Sequence, residues 1–215
     1  MKNAVIFDFD GVVINSLFVQ RLAFYSSYAS VGGEGEPSFE EFLNHSGDSL
    51  ENICQKMNLP VEMIPIYRKI SKENIDKIMI HDGIVTLLKK LTSKGIVCCL
   101  CTGKERDRVL EILKALSLDK YFTMLVCSDD VTHPKPHPES LHVIIHKLNL
   151  EKSTSVMIGD APNDIICAKA AGVKSIGVTW GDASLELLKE QQPDFLVSST
   201  EELYTAIMTS LKKAS

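Results

Sequence analysis

The chain has 215 residues, 45% of them apolar, with 23 basic and 28 acidic side chains and a formal charge of −5. That length suits one α/β core, or a core with a small inserted domain, and the apolar share is enough to bury it. No long basic run is present, which excludes the electrostatic footprint of a nucleic-acid binder and a polybasic membrane patch. No apolar run reaches transmembrane length, and Met1 leads directly into Ala4-Val5-Ile6-Phe7 without the pattern of a signal peptide.

Residues 4–7 form a short apolar run ended by Asp8, the pattern of a strand buried on both faces of a parallel sheet. Asp8-Phe9-Asp10-Gly11-Val12 follows at once. Open α/β sheets bind ligands beyond the carboxyl ends of their strands. Two carboxylates two residues apart can reach one site there if the chain turns after Asp8, and Gly11 permits that turn. An EF-hand calcium loop would need further oxygen ligands at set spacings and a late Glu, whereas this sequence continues Val12-Val13-Ile14.

Residues 16–81 follow a different rhythm. Phe18, Leu22, Tyr25 and Ala29 have helical spacing, as do Leu50, Ile53, Cys54 and Met57. Tyr67, Ile70, Asn74 and Ile78 allow a third helix, and Gly32, Gly33, Gly35 and Pro37 mark a loop between the first two. No strand-like run stands out. The expectation is an all-helical inserted domain at 16–81, with 1–15 and 82–215 forming the core; helices packed directly on the sheet are the alternative. Arg21, His45 and Arg68 are the polar residues of this segment to watch for substrate contact, although a surface role is the plainer expectation for each.

Beyond residue 82 the chain alternates. Ile84, Leu87, Leu88 and Leu91 are spaced as a helix ended by Gly95. Residues 96–101 read as a strand, Val109, Ile112, Leu113 and Leu116 as a helix, and 123–127 as a strand. Leu141, Ile144, Ile145 and Leu148 mark another helix and 155–158 another strand. A helix around Ala168, Ala170 and Ala171 closes at Gly172, and 175–179 and 195–197 read as the last strands. Such alternation means βαβ units and a doubly wound parallel sheet. Cys98 and Cys99, adjacent in a strand, would point to opposite faces. Buried reduced thiols are therefore expected of the six cysteines, rather than a tetrahedral zinc site, which favours a cytoplasmic protein.

Three further segments could carry chemistry, two of them at strand ends. Thr102-Gly103-Lys104 precedes a helix, where a hydroxyl and exposed amides could hold an anion or Thr102 could act only as an N-cap. In Lys135-Pro136-His137-Pro138 the prolines stiffen the chain and start a helix, holding Lys135 near the sheet edge; alone, this would read as a surface loop. Gly159-Asp160-Ala161-Pro162-Asn163-Asp164 brings carboxylates to a second strand end, and an oxygen-rich site of that kind suits a hard cation such as magnesium.

In this order, Asp8/Asp10, Thr102, Lys135 and Asp160/Asp164 resemble the haloacid dehalogenase superfamily over nearly the whole chain. The helical insertion after the first motif resembles the cap of the branch containing phosphoglycolate phosphatase and β-phosphoglucomutase. The resemblance implies a Rossmann-like core, with Asp8 as nucleophile and Asp10 as general acid/base. It implies Thr102, Gly103 and Lys135 around the substrate phosphate. It also implies magnesium held by Asp8, the backbone carbonyl of Asp10 and Asp160, with Asp164 supporting the metal site. Asn15 and Gly103 depart from residues frequent in the family, at the cap hinge and pocket wall.

The chemistry needs such a set. An ionised Asp8 facing a phosphate dianion at about 4 Å meets roughly 4 kcal/mol of repulsion per charge at an effective dielectric of 20, so a cation and Lys135 must offset it. The expected activity is a magnesium-dependent phosphatase acting on a small phosphorylated metabolite, of sugar-phosphate or phosphoglycolate type, through an aspartyl-phosphate. A phosphomutase is the rival inside catalysis. A dehalogenase is disfavoured because that branch has no acid at the position of Asp10. A receiver-like or phosphometabolite-binding module is the non-enzymatic rival. A monomer or homodimer is expected, without nucleic-acid or membrane partners.

Overall fold

The computed structural model describes residues 2–33 and 35–211. Six strands form one sheet: β1 (Ala4–Phe7), β4 (Val97–Cys101), β5 (Met124–Val126), β6 (Ser155–Gly159), β7 (Lys174–Val178) and β8 (Phe195–Val197). Their order is β5-β4-β1-β6-β7-β8, and every pairing is parallel. The most apolar run is thus central, with Ile6 opposite Cys99 on one side and Met157 on the other. All four residues of β1 are fully buried, as a strand covered on both faces must be.

The period-two alternation of β1 splits its side chains between two cores. Val5 and Phe7 join a cluster with Ile84, Leu88 and Leu91 of α5 (Ile84–Ser93), Val109 and Ile112 of α6 (Arg106–Ala115) and Leu203 and Ile207 of α10 (Thr200–Ser210). Ala4 and Ile6 join one with Leu141 and Ile144 of α7 (Glu139–Leu148) and Cys167, Ala168 and Ala171 of α8 (Pro162–Ala171). Each fully buried Leu or Ile contributes roughly 1.5–3 kcal/mol relative to exposure. The six cysteines are free and buried. Cys98 and Cys101 have Cys-x-x-Cys spacing, yet they lie on opposite faces of β4, Cys98 in the first cluster and Cys101 in the second.

Between β1 and α5 lie α1 (Leu17–Ser30), α2 (Phe39–Asn44), α3 (Leu50–Lys56) and α4 (Met63–Glu73). They share a third apolar cluster built on Phe24, Phe39, Phe42, Met63 and Tyr67, with the Phe24 ring 4.8 Å from that of Phe42. Three local expectations need correction. The helix expected to include Asn74 and Ile78 ends at Glu73, where the Asn74 side chain donates to the Ile70 carbonyl at 2.8 Å and competes with the helical pattern. The short α2 was not foreseen, although Ser38 caps it by accepting from the Glu41 amide at 3.1 Å. Residues 14–15 (β2) and 79–80 (β3) pair as an antiparallel ribbon at the entry and exit of the helical segment; two residues are too few to carry a periodicity. Among the described residues no helix is long and apolar enough to cross a membrane.

Candidate active site

The sheet delivers its charged residues to one edge. β1 is extended by one backbone bond, from the Asp8 amide to the Ile158 carbonyl at 2.8 Å, so Asp8 stands level with the end of β6. Asp160 follows that end, and Asp164 sits in the first turn of α8, where its Oδ2 accepts the Ala161 amide at 3.1 Å. All three carboxylates are at most 3% exposed, and their oxygens lie within 4.8 Å of one another. Lys135 is equally buried. Its Nζ donates to Asp8 Oδ1 at 2.7 Å, to Asp164 Oδ1 at 2.6 Å and to the Cys101 carbonyl at 2.9 Å, using all three ammonium protons.

Two glycines make the convergence possible. A Cβ on Gly11, whose φ is +73°, would fall 2.2 Å from Asp160 Oδ2, and one on Gly159 would fall 2.1 Å from the Asp164 Cβ. Neither approach tolerates a side chain.

Three carboxylates face one ammonium, a formal surplus of two negative charges. Burial pushes Asp8 up to about 7; Lys135 opposes the shift and Asp164 adds to it. Burial, then the charges of Asp164 and Asp8, hold Asp160 well above the usual carboxylate range. Burial pulls Lys135 down, but Asp164 and Asp8 outweigh it, so the ammonium stays protonated far into the alkaline range. Asp160 Oδ2 accepts the Asp182 amide at 2.8 Å, whereas its Oδ1 is buried without a partner. An orphaned carboxylate oxygen, surplus negative charge and an all-oxygen donor set fit a hard divalent cation such as magnesium.

Asp10 does not join this floor. Its side chain turns toward the helical segment, accepting from the Ser16 hydroxyl and pairing with Lys104 Nζ at 3.0 Å. Thr102 is buried, and its Oγ1 accepts the Lys104 amide at 3.2 Å. It is not the N-cap of α6, which begins four residues later with Glu105 as cap. Gly103 meets the loop before α3 closely: a Cβ there would lie 2.2 Å from the Asp48 carbonyl. A cavity of about 440 Å³ opens between these groups, running from Asp8, Asp10 and Thr102 to Phe42, Tyr67 and Arg68.

The structure thus joins Asp8, Lys135 and Asp164 in one hydrogen-bonded network with Asp160 beside it, and sets Asp10, Thr102 and Gly103 along the adjoining wall. Of the three polar residues watched in the helical segment, Arg68 lines the cavity and pairs with Glu51 and with Glu105, the latter at 2.7 Å. Arg21 lies over the Phe39 ring, 5.2 Å from its centroid, and the His45 carbonyl accepts from the Asn163 side chain at 3.2 Å; neither lines the cavity. The sequence placed Lys104 in the Thr102-Gly103-Lys104 segment without giving it a role, and Arg108 and Asp182 were passed over. Arg108 lines the cavity and donates from Nη1 to Glu111 at 2.6 Å. Burial, then the charge of Asp10, pushes Asp182 up to about 7. A weaker signal was available: Gly181-Asp182 repeats the Gly159-Asp160 pair, in the loop beyond β7 rather than at the strand end.

Comparison with known proteins identifies relatives over nearly the whole chain. The family model described as haloacid dehalogenase-like hydrolase matches residues 5–178. The chain is 33% identical over 208 residues to pyrophosphatase PpaX of Bacillus pumilus, covering 95% of this chain and 96% of that protein. A crystal structure described as a predicted phosphatase from Clostridium acetobutylicum superposes with a TM-score of 0.85 at 26% identity, covering 97% of this chain and 99% of the other. One described as a predicted phosphoglycolate phosphatase from Haemophilus somnus has a TM-score of 0.82 at 21% identity, covering 95% and 97% of the two chains, a likeness of fold.

Proposed function

The chain belongs to the haloacid dehalogenase-like hydrolase family and is a phosphatase; from that premise we propose that it hydrolyses a small phosphorylated metabolite through an aspartyl-phosphate on Asp8. Magnesium would be held by Asp8, Asp160 and the backbone carbonyl of Asp10, with Asp164 supporting the site. Residues 16–81 would act as a cap over a core of 1–15 and 82–215. The observation that carries the reading is the buried floor: three carboxylates, one lysine and the partnerless Asp160 Oδ1.

Bound magnesium would supply the countercharge that lets an anionic nucleophile approach an anionic ester. Lys135 supplies the rest, and its bond to Asp8 leaves the second oxygen of that carboxylate to attack phosphorus. The Thr102 hydroxyl and the Gly103 amide would donate to the phosphate oxygens. As the Asp8 O–P bond forms, the ester O–P bond breaks, and the leaving oxygen takes a proton from Asp10. Water then attacks phosphorus and gives its proton back to Asp10, which releases phosphate and restores Asp8. Ser16 and Lys104 orient Asp10 for both transfers. Six free, buried thiols suit a reducing cytoplasm.

The name of the Bacillus pumilus relative favours inorganic pyrophosphate as a second reading. The cavity's volume of about 440 Å³ and its apolar residues Phe42, Leu50 and Ile53 favour an organic leaving group. The test is phosphate release from a panel of monoesters and pyrophosphate, with and without chelator, and acid quench to locate the label. Label on Asp8 and activity lost on chelation are expected. Turnover that survives chelation, or label on another residue, overturns the proposal.

A further inference from the structure

We propose that His133, His137 and Glu139 form a second metal site, for a borderline divalent ion of the zinc class, on the outer face of the segment that carries Lys135. Donor atoms from the three side chains lie within 4.8 Å of one another. His133 Nδ1 is 3.0 Å from Glu139 Oε2; two donors of a tetrahedral ion with bonds of about 2.0–2.1 Å stand about 3.3 Å apart. The rings of His133 and His137 face the same space, with centroids 4.8 Å apart. Two imidazoles and one carboxylate are a donor set that selects zinc-like ions, unlike the all-oxygen floor beside Asp8.

The segment is built to hold these donors still. Its sequence is His133-Pro134-Lys135-Pro136-His137-Pro138-Glu139, so a proline separates each ligand from the next fixed point, and little backbone entropy remains to be lost on binding. The His137 amide donates to the Pro134 carbonyl at 3.0 Å, and the His137 carbonyl accepts from the Cys167 thiol at 3.3 Å. The Glu139 carboxylate is oriented by the Thr132 and His133 amides, each at 3.0 Å, the outer support that metal-ligating carboxylates use. Binding would replace two existing contacts, His133 Nδ1 to Glu139 Oε2 at 3.0 Å and the Glu139 amide to His137 Nδ1 at 3.2 Å. Both histidines are exposed, which leaves coordination positions open to water. Occupancy would tie His133 to Glu139 across Lys135 and brace the loop that presents the ammonium.

The test is calorimetric titration of Zn²⁺ into the full chain under saturating Mg²⁺, with Co²⁺ absorption as a second readout. One equivalent is expected, with a rise in thermal midpoint and a cobalt spectrum free of sulfur charge transfer. The His133→Ala/His137→Ala variant should lose that equivalent, while magnesium-dependent turnover in the absence of zinc is unchanged. His133→Ala alone, which leaves the Glu139 turn intact, should weaken zinc binding about tenfold or more. Equal zinc binding in parent and double variant, or a sulfur charge-transfer band, overturns the proposal.

Discussion

The floor and the wall of the cavity are built from the same residue types under opposite conditions. On the floor, Asp8, Asp160, Asp164 and Lys135 are out of water, and Lys135 pairs at short distance with Asp8 and Asp164, all three buried. On the wall, Asp10 and Lys104 pair at 3.0 Å with 20% and 18% of their side chains exposed, and Arg68 bridges two partly exposed glutamates. A dry pair cannot be opened without stranding a charge, so the floor keeps one geometry. Solvated pairs contribute little and exchange readily, so the wall can give up its partners to a substrate.

The largest effect should come from the floor. Lys135→Met leaves three carboxylates with no ammonium, and removing one partner of a buried pair costs about 3–5 kcal/mol. Calorimetry of the metal-free variant should show a strongly lowered thermal midpoint, partly restored by magnesium, with phosphate release abolished. An unchanged midpoint would mean that the floor and the wall do not differ electrostatically.

Asp10→Asn crosses the boundary, because it removes a proton donor but no floor contact. Turnover should fall by about 10²–10⁴, while magnesium affinity measured by titration persists. Loss of magnesium binding in this variant would move the Asp10 side chain onto the floor.

The pH dependence of stability sharpens the contrast further. Asp8 and Asp182 are both raised to about 7. The folded metal-free chain therefore keeps protons that the unfolded chain sheds above about pH 4. Their contribution is fully present below that pH and is lost as pH rises through about 7. Thermal midpoints of chelated protein should fall over this window, and magnesium should flatten the profile. The smallest effect belongs to the wall. Arg68→Ala removes exposed pairs worth about 0.2–1 kcal/mol each; stability should hardly change and any kinetic effect should appear in KM. A large loss of kcat would place Arg68 next to the reacting atoms.

Legibility followed length and burial. The central strand, the alternating helices and most of the charged segments could be read because the helices repeat a period and Asp8, Thr102 and Asp160 each follow an apolar run; Lys135 was legible only from the prolines around it. Asp160 and Asp164 were legible for the same reason as Asp8, a strand end followed by acid. The ribbon of β2 and β3 was not, since two-residue strands carry no pattern. Asp182 was missed because Thr179, Trp180 and Gly181 separate it from the end of β7, whereas Asp160 directly follows β6. The roles of Lys104 and Arg108 depend on partners such as Asp10 and Glu111, and in Arg108's case on Ser71 of the helical segment.

By itself the sequence determined which residues are apolar enough to form a two-faced parallel sheet and which charged groups follow its strands, because periodicity and strand ends are local properties. Only the tertiary structure decided the division of labour among those groups. The close approaches at Gly11 and Gly159 press Asp8, Asp160 and Asp164 together out of water, while the turn that Gly11 makes sends Asp10 toward Ser16 and Lys104. Burial and charge pairing depend on distances between remote segments, and those distances are set by packing.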